Sequence, residues 1–129
     1  MTKTGAISIL FWATALYDAV LGIVFLLAPT WAFRTAGIPM PDHMGYVQFA
    51  ACLLLVFAAM FVRIARAPAA NRSLIPYGIG LKASYCGVVA YNCATVGIQD
   101  IWKVFAVVDL ITAILFVAAW IYLGKSSRG

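Results

Sequence analysis

Charged residues are scarce in this chain, which has 129 residues of which only 10% are Asp, Glu, Lys or Arg. Soluble domains carry about 25% charged residues. Hydrophobic residues make up 65% of the chain, and the mean hydropathy is +1.00. A water-soluble fold of this size cannot bury so much apolar surface, so lipid is expected to cover part of it. The composition therefore predicts a single integral membrane domain over residues 1–129.

Cysteine and histidine are also few, and their positions exclude several kinds of site. Cys52, Cys86 and Cys93 lie in apolar runs and form no CxxC motif, which argues against a disulfide framework or a zinc site. The single histidine, His43, lies in a loop, so haem ligation by two histidines inside the membrane is excluded within one chain. The sequence predicts no metal site and no cofactor.

Motifs for catalysis and for nucleic-acid binding are missing as well. The chain shows no nucleophile–base arrangement and no phosphate-binding glycine loop, so we predict that it is not an enzyme. The net charge of +5 does not indicate nucleic acid, because the basic residues are scattered singly between apolar runs. They are better interpreted as topology signals at the inner leaflet.

Four apolar segments are present, at about residues 6–28, 46–65, 75–96 and 101–123. Each has about the 20 residues that a spanning helix needs, and none shows the alternation of a barrel strand. The connection "GIQD" at 97–100 is so short that the last two helices must be antiparallel neighbours. The predicted fold class is all-α, an antiparallel four-helix transmembrane bundle.

The ends of the first segment add two predictions. Pro29 ends this helix, and Trp31, Phe33 and Arg34 follow, which predicts a short interfacial segment between helices one and two. The segment is longer than the 7 to 15 apolar residues of a signal peptide, and no A-x-A site follows it. We therefore interpret it as a retained span.

Positive residues are distributed unequally between the two ends of the predicted helices. If the N-terminus is cytoplasmic, six positive residues lie on the inner side and two on the outer side, as the positive-inside rule expects. Both termini are then cytoplasmic. The six are Lys3, Arg63, Arg66, Arg72, Lys125 and Arg128, and the two are Arg34 and Lys103.

Three charged residues fall inside the predicted spans: Asp18, Lys82 and Asp109. An isolated charge at the bilayer centre costs about 2.5 to 3.5 kcal/mol on insertion scales, so pairing is expected. At about 1.5 Å per residue from the cytoplasmic ends, Asp18 and Asp109 lie about 18 and 21 Å deep and Lys82 about 10 Å deep. The two acids are therefore level, and Lys82 either reaches up to them or extends to the inner interface.

Other polar residues share faces with these charges at spacings of three and four. Tyr85 and Asn92 share the Lys82 face of helix three, Thr14 lies one turn from Asp18, and Thr112 lies beside Asp109. The cluster has two interpretations, which the sequence leaves open. It is a buried ion-pair network that fixes helix register, or a ligand-binding or proton-titrating site. The opposite side of helix three carries small residues that permit close helix contact: Gly80, Ala83, Ser84, Gly87, Ala90 and Ala94.

Three short stretches carry a family resemblance: "YDAVLGIVFLLAP" in helix one, "GIGLK" at the start of helix three and "VVDL" in helix four. With its four spans, the chain resembles the small bacterial inner-membrane proteins of the DoxX-like kind. That resemblance implies an accessory or scaffold role in the bacterial inner membrane. The expected partners are the lipid bilayer and either another membrane protein or a second copy of the chain, with a small polar or quinone-like ligand at the charged cluster.

A second resemblance concerns architecture only. Small multidrug-resistance transporters are also four-helix chains of similar length with an acid in helix one, where Asp18 stands. Here the acid is aspartate rather than glutamate, and Lys82 and Asp109 have no counterpart in those transporters. The alternative function is accordingly a proton-coupled small-molecule transporter that uses Asp18 and Asp109.

Overall fold

The computed structural model describes residues 2–128, with side chains described as far as Lys125, so the predicted inner-side charge of Arg128 lies outside the described side chains. All regular secondary structure of these residues is helical, as predicted. The four predicted segments correspond to four helices, and the interfacial segment forms a fifth. The elements are α1 (Lys3–Leu27), α2 (Pro29–Ala36), α3 (Gly45–Arg66), a 3₁₀ turn (Arg72–Leu74), α4 (Ile75–Thr95) and α5 (Asp100–Arg128).

Three of the described helices are long and apolar enough to cross a membrane. They are α1, α3 and the Asp100–Lys125 part of α5. The remaining long helix, α4, has the length of a span but carries Lys82, Asn92 and three tyrosines. The four-span bundle therefore stays a prediction, because α4 is too polar to qualify by composition alone.

The chain divides into two compact units. Unit 1 is Met1–Arg66 and contains α1, α2 and α3, with α1 packed along α3. Unit 2 is Ala67–Gly129 and contains the 3₁₀ turn, α4 and α5, with α4 packed along α5. Each unit is thus built on one pair of long helices.

The helices α1 and α3 of unit 1 run antiparallel. At one end, the hydroxyl of Ser8 donates a hydrogen bond of 2.5 Å to the carbonyl oxygen of Ala65. At the other end, the amide of Gln48 donates one of 3.4 Å to the carbonyl oxygen of Leu26. These two bonds join the start of each helix to the end of the other, which fixes their register.

Between these bonds, α1 and α3 approach closely at Gly22. A Cβ atom at this position would lie 2.9 Å from the carbonyl oxygen of Ala51 and 2.9 Å from the side chain of Leu55. The rings of Phe11 and Phe61, both fully buried, lie 6.0 Å apart further along the interface. The small residue allows backbone contact, and the aromatic pair fills another part of the same interface.

The short helix α2 belongs to unit 1 and packs on the end of α1. Pro29 occupies its first turn, where the missing N–H costs nothing. Gly37 ends it in the left-handed conformation with φ of 69°, which a residue with a side chain rarely adopts. The ring of Phe33 is buried and lies edge-on to Phe25, 6.0 Å away, whereas Trp31 on the other side is exposed. An amphipathic helix of this kind is suited to an interface.

The helices α4 and α5 of unit 2 are also antiparallel, as the short connection between them predicts. Near the start of α4, Arg72 donates a hydrogen bond of 2.9 Å from Nε to the carbonyl oxygen of Trp120. Its guanidinium lies 4.3 Å from the centre of the Trp120 ring, within the range of a cation–π contact. Further along α4, the hydroxyl of Tyr85 donates one of 3.0 Å to the carbonyl oxygen of Trp102 near the start of α5.

Candidate functional site

A buried ion pair joins α4 to α5. The ammonium Nζ of Lys82 lies 3.2 Å from the carboxylate Oδ1 of Asp109 and donates a hydrogen bond to it. Lys82 is 1% exposed and Asp109 is 8% exposed, so the pair is withdrawn from solvent. At this depth the two opposite charges offset the cost that each would have alone.

The stagger of the two helices explains how Lys82 reaches this acid. Arg72 is bonded to Trp120, which sets the start of α4 level with the later part of α5 rather than with its end. Lys82 follows Arg72 by ten residues and Asp109 precedes Trp120 by eleven, so both lie at nearly the same height along the pair. The expected difference in depth between Lys82 and Asp109 is absent because the inner ends of α4 and α5 are not level.

A cysteine lies one turn from Lys82 on the same side of α4. The thiol of Cys86 donates a hydrogen bond of 3.3 Å to the carbonyl oxygen of Ala106, three residues before Asp109 on α5. This bond and the Tyr85–Trp102 bond lie on the same face of α4 as the ion pair. Polar contacts with α5 therefore continue beyond Lys82 along that face. The sequence indicated only that Cys86 lies in an apolar run, so this cross-helix bond was not predicted.

Two of the predicted site residues in unit 2 bond within their own helices. Asn92 donates to the carbonyl oxygen of Val88 at 2.8 Å, and Thr112 donates to that of Val108 at 2.7 Å. Each acceptor lies four residues back, a local pattern that satisfies a side-chain donor without a partner helix. The structure therefore brings Lys82, Asp109 and Tyr85 into contacts between helices, while these two side chains bond locally.

The remaining predicted site residues, Asp18 and Thr14, belong to unit 1. Asp18 is 1% exposed and Thr14 is 6% exposed. The hydroxyl of Thr14 donates to the carbonyl oxygen of Leu10 at 2.8 Å, again four residues back. Lys82 and Asp109 belong to unit 2, so the grouping of Asp18 with them stays a prediction.

The side of α4 that carries the small residues is exposed. A Cβ atom built at Gly80 or Gly87 would meet nothing within 4 Å. Ser84, on the same side, bonds to the carbonyl oxygen of Gly80 at 2.7 Å. These small residues predicted close contact with another helix, yet in the described chain all six are exposed: Gly80, Ala83, Ser84, Gly87, Ala90 and Ala94.

Clusters of the common metal-binding side chains are absent from the part of the chain that the structure describes. Among these residues, no group of three or more His, Cys, Asp or Glu side chains is placed to hold a metal ion. The ion pair of Lys82 and Asp109 has no net charge. Its chemistry is that of a pair of hydrogen-bonding groups within a helix interface.

Comparison of the chain with protein-family models, curated proteins and solved structures gives no match. The resemblance to DoxX-like proteins therefore stays a prediction. What the structure defines is a helical protein with three membrane-length apolar helices and a buried ion pair in unit 2.

Proposed function

We propose that this chain is a small accessory or scaffold protein of the bacterial inner membrane, with four spans and both termini cytoplasmic. One observation carries the proposal: the 3.2 Å contact between Lys82 and Asp109. An acid that is already neutralised by a buried cation is poorly suited to bind a second cation or to carry a proton. It is well suited to hold two helices in register.

The exposed side of α4 supports a protein partner. Small residues let another helix approach closely inside a membrane, where packing rather than the hydrophobic effect drives association. Because α4 is also the least apolar of the long helices, contact with protein suits it better than contact with lipid. We propose that this side binds a larger membrane protein, which the accessory role requires.

A pair of matched substitutions tests this proposal. Ala90 lies on the exposed side of α4, and Ala118 is exposed on α5. The tagged chain is purified from native membranes in mild detergent, and the mass of the complex is measured. We expect a stoichiometric larger partner, lost with Ala90→Leu and kept with Ala118→Leu.

Two other results would count against the proposed accessory role. A complex that contains only copies of this chain would show a homo-oligomer. A monomer in every sample would remove the basis for a partner. Separately, a complex that is kept with Ala90→Leu, or lost equally with both variants, would show that the exposed side of α4 is not the specific binding site.

The second candidate is a proton-coupled transporter, and one observation favours it: Asp18 is an almost fully buried acid in a membrane-length helix. Such acids often mark ion or proton pathways. If this candidate is correct, Asp18→Asn abolishes pH-dependent uptake into proteoliposomes while the protein remains folded. A substitution that only lowers the melting temperature supports the accessory role instead. The same variant tests a small polar or quinone-like ligand, whose binding would be lost with the charge.

A further inference from the structure

The loop between α2 and α3 concentrates the side chains that bind soft metal ions. The chain has four methionines and one histidine, and three of these five residues lie in the stretch "MPDHM" at 40–44. They are Met40, His43 and Met44, so the last two follow Met40 by three and four residues. Thioether and imidazole groups are ligands that Cu(I) accepts, whereas Mg²⁺ and Ca²⁺ prefer oxygen.

The structure leaves these side chains accessible. Met40 is 41% exposed, His43 is exposed and Met44 is half-buried. Methionine has a flexible side chain with a polarizable thioether sulfur. The exposure of Met40 and His43 leaves both side chains accessible to an ion.

Both ends of the loop are held within unit 1. Gly37 closes α2, whose Phe33 ring packs against Phe25 of α1. At the other end, the carbonyl oxygen of Met44 accepts a hydrogen bond of 2.8 Å from the N–H of Gln48 in the first turn of α3. The connection between α2 and α3 is only eight residues long, 37–44, and it bends at Asp42 and Met44. A short loop with fixed ends loses less entropy when a metal orders it.

We propose that Met40, His43 and Met44 form a three-coordinate Cu(I) site with two thioether sulfurs and one imidazole nitrogen. All three ligands are neutral when bound, so the site keeps the single positive charge of the ion. Asp42 lies within the same stretch and supplies a compensating negative charge. In the proposed topology the loop is on the outer side of the membrane.

Anaerobic titration of the purified full-length chain with Cu(I) tests the site, with bicinchoninate as the competing ligand. The thiols of Cys52, Cys86 and Cys93 also bind Cu(I), so they are first blocked with N-ethylmaleimide. We expect one Cu(I) per chain in competition with bicinchoninate. Met40→Leu and His43→Gln should each weaken binding at least tenfold.

Met60 provides the matched control, because it lies in α3 away from the loop. Met60→Leu should leave the affinity unchanged. Equal affinity in Met40→Leu, His43→Gln and the parent would overturn the proposal, as would tighter binding of Zn²⁺ than of Cu(I). Circular dichroism of each variant should show unchanged helix content, because Met40 and His43 lie outside the helices and leucine favours helix about as well as methionine at position 60.

Discussion

At the scale of single residues, two Lys–Asp pairs of nearly equal length occupy different surroundings. Lys82 and Asp109 are 3.2 Å apart with side chains that are 1% and 11% exposed. Lys103 and Asp100 are 3.1 Å apart with side chains that are 49% and 94% exposed. Water screens the second pair and also solvates each of its charges alone, so exposed pairs contribute little to stability. In the buried pair, water cannot take the place of either partner.

The first prediction compares these two pairs. Removing one partner of a buried pair leaves the other charge uncompensated, which costs about 3 to 5 kcal/mol in protein interiors. We expect Asp109→Asn to lower the free energy of unfolding by about this amount, and Asp100→Asn to change it little. Thermal unfolding in detergent, followed by circular dichroism, measures both. Similar midpoints for the two variants would show that the Asp109 contact does not stabilise the fold.

The sequence predicted a part of this pairing and missed the rest for physical reasons. The cost of an isolated charge in lipid predicts that Lys82 finds an acid, and the structure shows Asp109 there. The choice between that acid and the inner interface depends on helix stagger, which no residue pattern contains. Likewise, the hydroxyl of Thr14 or Thr112 can bond across a helix interface or within its own helix. The sequence does not distinguish these two arrangements, and the structure shows the second at both residues.

At the scale of helices, glycines occupy two different environments. Gly22 lies where α1 meets α3, and any side chain there would collide with Ala51 and Leu55. Gly87 lies on the exposed side of α4, with nothing within 4 Å of an added Cβ atom. The same substitution at the two sites therefore separates packing from helix propensity.

The second prediction uses that contrast. Gly22→Ala should destabilise unit 1 by about 1 to 3 kcal/mol, the usual cost of overpacking. Gly87→Ala should leave stability unchanged or raise it by up to about 1 kcal/mol, because alanine favours helix more than glycine does. Chemical unfolding in mixed micelles measures both. A stabilising Gly22→Ala would contradict the close approach of α1 and α3.

The third prediction concerns the contact between the 3₁₀ turn and the end of α5. A Cβ atom at Gly124 would lie 2.8 Å from Cζ of Arg72, so a side chain there must displace the guanidinium from Trp120. In a chain whose other three tryptophans are replaced by phenylalanine, Gly124→Val should change the fluorescence of Trp120. Arg72→Gln should produce the same change, and the two together should add nothing further. A full additional change in the double variant would mean that Gly124 acts independently of Arg72.

The helices themselves were the most predictable part of the fold. Long apolar runs identified α1, α3 and α5, and the four-residue connection before α5 correctly predicted an antiparallel pair. The end of α2 at Gly37 was not predicted, although glycine in the left-handed conformation commonly ends a helix. The exposed side of α4 was not foreseen, because small residues permit close contact without specifying that a neighbour is present.

At the scale of the whole molecule, the chain consists of two helical units. The first unit ends at Arg66, and the second begins at Ala67. Each unit has its own interhelical hydrogen bonds, such as Ser8–Ala65 in unit 1 and Tyr85–Trp102 in unit 2. Contacts within each unit are therefore expected to survive a break in the connecting segment at 67–71.

The fourth prediction tests this independence with protease sites inserted into the full-length chain. Cleavage within 67–71 should leave amide hydrogen exchange in α1, α3, α4 and α5 nearly unchanged. Cleavage within 97–99 should speed exchange in α4 and α5, because it removes the short connection that holds that pair together. If cleavage at 67–71 speeds exchange throughout, the two units do not hold their own contacts.

The role of the Lys82–Asp109 pair as a structural contact is tested most directly by a double-mutant cycle. The variants are Lys82→Met, Asp109→Leu and both together, and the free energy of unfolding of each is measured in the same detergent. Contacting residues couple by about 0.5 to 3 kcal/mol, and we predict a coupling of at least about 1 kcal/mol. The double variant should be more stable than either single variant. A coupling near zero, with both single variants as stable as the parent, would contradict the contact on which the proposed function depends.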